Sequence, residues 1–224
     1  MEIALDFTGP VAVFPLPNCV FFPGSRLPLH IFEPRYRTMV ADALAGDRLI
    51  AIALLAQGWE ADPQSAPRIS KVATLGRMVR HSPLANGRSN ILLEGLARIR
   101  PTTEHPGAPY RSFDVEVLSD RVTLESLEQS SALVREIHER VLDLLLLAPP
   151  LFAPAVPVPS EVMSPGRYVD RIADSLRIDP VLKQSLLDEV DVIDRGARLL
   201  AFLGQIIEVA RRRTEQGDGG EADA

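Results

Sequence analysis

The length and composition of the chain are those of an ordinary folded protein. Its 224 residues fall between one and two average domains, and 46% hydrophobic with 24% charged residues excludes a disordered or fibrous chain. The net charge is −6, and only Lys71 and Lys183 are lysines among the 24 basic residues. Because binding to phosphates needs clustered cations, this balance disfavours general nucleic-acid binding. The net charge does not exclude a local patch of arginines.

Cysteine usage and the amino terminus indicate a cytoplasmic protein. Cys19 is the only cysteine, which excludes an intramolecular disulfide and a thiolate zinc site. The start of the chain lacks the basic residues and long apolar stretch of a secretory signal. The apolar stretch from Leu144 to Pro159 is interrupted by prolines, so it does not predict a membrane-spanning helix. We therefore expect no membrane association.

The first third of the chain predicts extended segments followed by a short helix. Apolar stretches with four prolines between Val11 and Leu29 favour edge strands, with a turn at Pro23-Gly24. Apolar residues three or four apart then predict a helix that begins at Pro34 and stops at Gly46.

Strands dominate the next part of the sequence. The continuous apolar run from Leu49 to Ala56 predicts a strand buried on both faces. Two longer strands, from about Ile69 to His81 and from Ser89 to Arg100, flank Asn86-Gly87, a dipeptide that tolerates the positive φ angles of a hairpin turn. Alternation from Phe113 to Leu118 predicts one further strand, half-buried.

Helical periodicity takes over after Asp120. A long amphipathic helix is predicted over 124–147, and a proline-rich linker follows over 148–163. Further helices are predicted within 165–213, because Ser164-Pro165, Asp179-Pro180 and Asp191 have the chemistry of helix starts. The glycine-rich, acidic tail 214–224 is expected to be disordered.

No catalytic, metal or cofactor site is predicted. The sequence contains neither a GxxxxGK[ST] phosphate loop nor a GxSxG nucleophile turn. The four histidines stand at spacings that match no compact metal motif. The two lysines that Ser-Lys catalysis could use lie in a predicted strand and on a predicted helix, where a structural role is the simpler interpretation.

Two stretches of sequence resemble the amino-terminal domain of Lon-type proteases. The first is FPLPNCVFFPGSRLPLHIFEPRYRTMVADAL, Phe14 to Leu44, and the second is GRMVRHSPLANGRSNILLEGLARIR, Gly76 to Arg100, with a Glu-Gly-Leu-x-Arg signature at Glu94 to Arg98. The resemblance covers about residues 10 to 120. Residues 173–203 more loosely resemble the helical subdomain that follows in Lon.

The resemblance implies an α+β fold, with a PUA-like β pseudo-barrel over 10–120 followed by an α-helical bundle subdomain over 121–213. We expect the chain to end before the ATPase and protease domains of Lon. The resemblance therefore implies a non-catalytic polypeptide-binding module. The expected partners are unfolded or degron-bearing polypeptides, with a separate protease or chaperone as a further candidate. The oligomeric state is left open.

Six residues are the predicted binding residues. The junction between the second strand and the first helix concentrates aromatic, charged and imidazole side chains, and Trp59 lies in a polar loop where a large ring is least expected without a contact. Phe21, Phe22 and Tyr36 also have a structural interpretation as core residues. The predicted binding residues are His30, Phe32, Glu33, Arg35, Tyr36 and Trp59.

RNA or modified-nucleotide binding is the alternative function, because PUA-like folds include such binders. Five arginines near the predicted hairpin could form a local basic face: Arg77, Arg80, Arg88, Arg98 and Arg100. A continuous positive groove in the structure would favour RNA, whereas an apolar groove would favour a polypeptide.

Overall fold

The computed structural model describes residues 9–59, 67–152, 157–160 and 163–218, without the side chains of 124–128 and 213–218. The chain divides into two compact units, Met1–Ser119 and Asp120–Ala224. We call the first the β unit and the second the helical unit. Their boundary differs by one residue from the predicted boundary at 120/121.

The described residues of the β unit form six strands and one α-helix. Helix α1, Pro34–Ala45, follows the second strand, as predicted. The fifth strand extends five residues beyond its predicted end at Arg100. The strands are β1 Val11–Leu16, β2 Arg26–Ile31, β3 Leu49–Leu54, β4 Ala73–Pro83, β5 Ser89–His105 and β6 Arg111–Leu118.

Five of these strands close into a ring. Strand β1 runs parallel to β3, and the pairs β3–β4, β4–β5, β5–β6 and β6–β1 are antiparallel. Strand β2 lies outside the ring and pairs with the first half of β5. The predicted α+β fold with a β pseudo-barrel is therefore confirmed.

The two faces of β3 pack into separate hydrophobic clusters. Ala51 and Ala53 belong to a cluster to which all five strands of the ring contribute. Because outward-facing residues of a ring could not meet, this cluster fills the interior. Ile50 and Ile52 point the other way, into a cluster shared with α1, β2 and the segment around Phe21. The prediction that this strand is buried on both faces is confirmed.

Gly95 allows a close approach between the two sequence blocks 14–44 and 76–100. A Cβ on Gly95 of β5 would collide with the backbone of Phe22 and Pro23. The Gly24 amide donates to the Gly95 carbonyl, 2.8 Å away, and the Gly95 amide to the Ser25 carbonyl, 2.9 Å away. The Phe-Pro-Gly turn therefore rests directly on the Glu-Gly-Leu signature of β5.

The hairpin between β4 and β5 turns where the sequence predicts. Asn86 and Gly87 have φ angles of 62° and 71°, the left-handed values that this dipeptide tolerates. The guanidinium of Arg37, on α1, packs over Gly87 at a position that a side chain there would occupy. The turn is consequently fixed both by its own backbone and by a contact from the helix.

Four α-helices form from the described residues of the helical unit. They are α2 Leu124–Leu147, α3 Pro165–Ser175, α4 Pro180–Asp188 and α5 Val192–Asp218. Helix α2 has the predicted bounds, and α5 extends five residues beyond its predicted end at 213, into the segment expected to be a disordered tail. No helix within the described ranges is long and apolar enough to cross a membrane.

The predicted helix starts are confirmed by their hydrogen bonds. The Asp179 carboxylate accepts from the Val181 amide at 2.7 Å, and the Asp191 carboxylate accepts from the Ile193 amide at 3.0 Å. The Ser164 hydroxyl accepts from the Arg167 amide at 3.4 Å. Each cap satisfies an amide that the first turn of a helix leaves without a partner.

A fully buried arginine joins the elements of the helical unit. Both terminal amino groups of Arg195, on α5, donate: Nη2 to both Asp120 oxygens at 2.9 Å and Nη1 to the Glu189 carbonyl at 2.7 Å. Its Nε lies 3.1 Å from Asp170 of α3. Gly166 makes room for this cluster, because a Cβ there would collide with the Asp120 carboxylate.

The buried face of α5 includes a charged residue among its apolar ones. Helical repetition of Ile193, Ala197, Leu200, Leu203, Ile207 and Ala210 predicts the core-facing stripe of this helix. Leu203 and Ile207 are buried as predicted, whereas Ala197 is exposed and Ile193, Leu200 and Ala210 are half-buried. Val192, Arg195 and Leu199 are buried as well, and the ion pairs of Arg195 allow it to face the core.

Candidate functional site

A groove of about 750 Å³ opens on the β unit, and we call it the β-unit groove. It is lined by all six predicted binding residues, which come from β2, the junction before α1, the first turn of α1 and the turn after β3. The other lining residues are Phe14, Pro15, Leu16, Pro17, Leu29, Leu55, Pro67, Glu104, His105, Pro106, Ala108, Pro109, Tyr110 and Arg111.

The junction between β2 and α1 turns two side chains into the groove. Because Pro34 occupies the first turn of α1, the preceding residue must be extended, and Glu33 has φ −67° and ψ 136°. Phe32 remains 58% exposed, which is high for a phenylalanine. The Glu33 carboxylate accepts a hydrogen bond from Arg35 Nε at 3.0 Å.

Tyr36 forms an aromatic floor beneath this junction. Its ring lies 4.1 Å from that of Phe14, centroid to centroid, and the Arg35 guanidinium lies 4.5 Å above it. The residue is buried, and burial raises the pKa of its phenol, which stays neutral at physiological pH. Tyr36 is therefore a core residue, as its structural interpretation predicted, and it also lines the groove.

His30 and Phe32 form an aromatic pair at the edge of the groove. Their ring centroids are 6.1 Å apart and the planes are inclined by 23°. Nδ1 of His30 lies 2.7 Å from the amide oxygen of Asn90 on the neighbouring strand β5. Because that oxygen can only accept, Nδ1 carries the hydrogen, which fixes the orientation of the ring.

The lining of the groove also contains an ion pair that the sequence did not predict. Arg111 donates to both carboxylate oxygens of Glu104, at 2.6 and 2.8 Å, and also to the Pro67 carbonyl at 2.8 Å. The hydrogen bond from Arg111 lowers the pKa of Glu104. Strand periodicity gave no signal for the pair, because its residues come from adjacent strands that are joined by an irregular loop.

Tyr110 ties this loop to α1. Its hydroxyl donates to the Asp42 carboxylate at 2.7 Å. Burial, followed by that hydrogen bond, raises the pKa of Tyr110 to about 12. The loop therefore packs against the helix and forms a wall of the groove.

Trp59 lies at the other end of the groove, half-buried in a short turn after β3. Gly58 precedes it with a φ of 85°. The polar residues expected after it, from Glu60 onward, lie outside the described residues as far as 66. The structure thus brings Trp59 into one groove with the β2–α1 junction, although the two are separated by more than twenty residues in sequence.

The groove-facing edge of β1 has little capacity for strand addition. Strand β1 pairs with β6 only over Val11–Val13. The Leu16 carbonyl accepts from Leu55 on the β3 side, so the backbone of Pro15 faces the opposite way. Since proline has no amide hydrogen, this edge offers an acceptor but no donor at Pro15. A ligand would have to be held mainly through its side chains.

The five arginines near the hairpin do not share one exposed face. Arg98 is 3% exposed, and Arg100 forms an ion pair with Glu116 at 2.6 Å. Arg77 stands opposite Glu94 in the β4–β5 register. Arg80 and Arg88 are exposed. The β-unit groove is mainly apolar, and its two arginines are paired with glutamates.

The described residues include no group of three or more histidine, cysteine, aspartate or glutamate side chains placed to hold a metal ion. The chemistry that the groove offers is apolar and aromatic contact, bordered by internally paired charges.

Comparison with known proteins agrees with this architecture. Residues 10–205 match the family model described as the ATP-dependent protease La (LON) substrate-binding domain. The chain belongs to this family. Lon protease 2 of Myxococcus xanthus is 27% identical to it over 206 residues, which are 92% of this chain and 25% of that protein. The chain thus spans about a quarter of the length of the curated relatives that it matches.

Two solved structures of LON domains share the fold. The Lon N-terminal domain protein from Xanthomonas campestris has a TM-score of 0.60 and 20% identity, covering 87% of this chain and 98% of that one. The N-terminal domain of Mycobacterium avium complex Lon protease has a TM-score of 0.64 and 16% identity, covering 88% and 98%. The match spans both units, so the helical unit is part of the LON domain fold.

Proposed function

We propose that the chain is a non-catalytic polypeptide-binding module that holds apolar and aromatic segments of unfolded or degron-bearing polypeptides in the β-unit groove. The observation that carries this proposal is the convergence of Phe32, Tyr36 and Trp59 in a single groove of about 750 Å³. Membership of the LON substrate-binding domain family supports it.

The charges of the groove favour an uncharged segment over a polyanion. Glu33 pairs with Arg35 and Glu104 pairs with Arg111, so these four side chains neutralise one another. A phosphate backbone would have to compete with those carboxylates for the guanidinium groups. An apolar segment leaves both pairs intact and gains from burying aromatic surface.

The groove offers two large aromatic side chains, a residue type that dominates the energy of many protein interfaces. Phe32 is exposed and prepared for contact by its stacking on His30, while Trp59 offers a half-buried ring. Large aromatic side chains account for much of the energy at such interfaces, because they bury area at a low entropic cost.

The binding of fluorescein-labelled casein, measured by fluorescence anisotropy, tests the proposal. We expect Phe32→Ala and Trp59→Ala each to weaken binding by more than about 1 kcal/mol, with little change in the thermal midpoint. Val117→Ala removes a comparably exposed apolar side chain that does not line the groove, so it should leave the affinity unchanged.

Two outcomes would contradict the proposal. If Phe32→Ala and Trp59→Ala leave casein affinity intact, the groove is not the binding site. If labelled single-stranded RNA binds more tightly than casein at physiological salt, and Arg80→Ala weakens that binding, the nucleic-acid alternative is correct.

A further inference from the structure

The helical unit exposes an apolar surface at the end of α2 that the proposed function does not use. Leu146 is 86% exposed, and Leu142, one turn earlier, is 48% exposed. Beside them lies a second groove, of about 620 Å³, which we call the α2–α5 groove. Its walls are Leu147, Ala148, Pro150 and Leu151 on one side, and Gln205, Ile206, Val209 and Ala210 on the other.

Helices α2 and α5 run in the same direction along this surface. Near their beginnings, a Cβ on Gly196 of α5 would collide with Leu133 of α2. Near the end of α2, residues 147–151 face residues 205–210 of α5. Val209 of α5, which lines this groove, is 50% exposed.

The charges along the surface are opposite at its two ends. Residues 136–143 of α2, before the groove, contain three acidic residues and one arginine. Beyond the groove, residues 211–213 of α5 are three arginines, and Glu208 precedes them beside the groove-lining Val209. Asp143 and Arg212 are exposed, and the internal ion pair of Arg212 with Glu208 is also exposed, at 72% and 67%. Ion pairs as exposed as this one contribute little and are readily exchanged.

We propose that a second copy of this chain docks on the α2–α5 groove about a two-fold axis. A two-fold axis perpendicular to the helices reverses their direction, so the acidic end of one copy meets the basic end of the other. The protruding Leu146 of each copy lies next to a groove of apolar side chains, so each leucine enters the groove of its partner. Charge and shape are therefore self-complementary in the same arrangement.

Sedimentation equilibrium of the full chain over micromolar concentrations tests this proposal. We expect a dimer whose dissociation constant rises at least about tenfold on Leu146→Glu, because a buried leucine is replaced by a charge. The matched control is Val181→Glu on α4, which alters an equally apolar but distant side chain, 47% exposed, and should leave the dimer intact. Circular dichroism establishes that both variants are folded.

A charge exchange tests the two-fold register. Asp143→Arg and Arg212→Asp should each weaken the dimer, and the double variant should restore it because opposite charges again face each other. A wild-type chain that stays monomeric, or a dimer insensitive to Leu146→Glu, overturns the proposal. A monomer that binds vesicles of anionic phospholipid through Leu146 also overturns it and assigns the surface to lipid.

Discussion

In the β unit the ion pairs line the rim of the groove, whereas in the helical unit an arginine is completely buried among carboxylates. Arg35 and Arg111 stay partly exposed beside Glu33 and Glu104. Arg195 is 0% exposed and bridges Asp120 and Asp170. The stability of the helical unit should therefore depend on a charge cluster, while the β unit depends on close backbone approaches at glycines.

The largest expected effect is on the helical unit. Arg195→Met keeps most of the side-chain volume but leaves Asp170, which is 2% exposed, without its cation. Breaking a buried pair in this way typically costs about 3–5 kcal/mol. We expect the far-ultraviolet circular dichroism transition of the helices to move to much lower urea concentrations.

Arg198→Met provides the control for that experiment. Arg198 pairs with Glu189 on the same helical unit, but it is 47% exposed, so its loss should cost at most about 1 kcal/mol. Trp59, the only tryptophan, reports on the β unit by its fluorescence. Equal destabilisation by the Arg195 and Arg198 substitutions would contradict a special role for the buried cluster.

A smaller effect is expected at Gly95 in the β unit. Gly95→Ala places a methyl group against the backbone of Phe22, which cannot rotate away. Overpacking of this kind costs about 1–3 kcal/mol, and the tryptophan fluorescence transition should report it. Gly46→Ala is the control, because the nearest atom to its Cβ is at an ordinary 3.6 Å. If Gly95→Ala and Gly46→Ala are equally stable, the contact between the Phe-Pro-Gly turn and β5 does not require a glycine at position 95.

The smallest of these effects is expected at the hairpin. Gly87→Val forces a β-branched residue into left-handed backbone, which costs about 1–2 kcal/mol, and lowers the melting temperature. Because Arg37 also occupies the space over Gly87, Gly87→Ala should become milder when combined with Arg37→Ala. An unchanged melting curve for Gly87→Val would contradict the strained turn.

Local pattern was a sufficient guide to most elements of this protein. The bounds of α2, the three helix caps and the Asn86-Gly87 turn depend on a few neighbouring residues, so sequence reasoning predicted them. The burial of Arg195 on α5 was not predicted, because it depends on carboxylates 25 and 75 residues away in sequence, which no local pattern reveals.

The sequence by itself determined the order of strands and helices, the family and the residues to examine for binding. Only the tertiary structure decided that β1, β2, the α1 junction and Trp59 enclose a single groove, since closure of the ring brings distant segments together. It also decided that Glu104 and Arg111 pair with each other in the lining of this groove, because pairing of β5 with β6 brings the end of one strand to the start of the next.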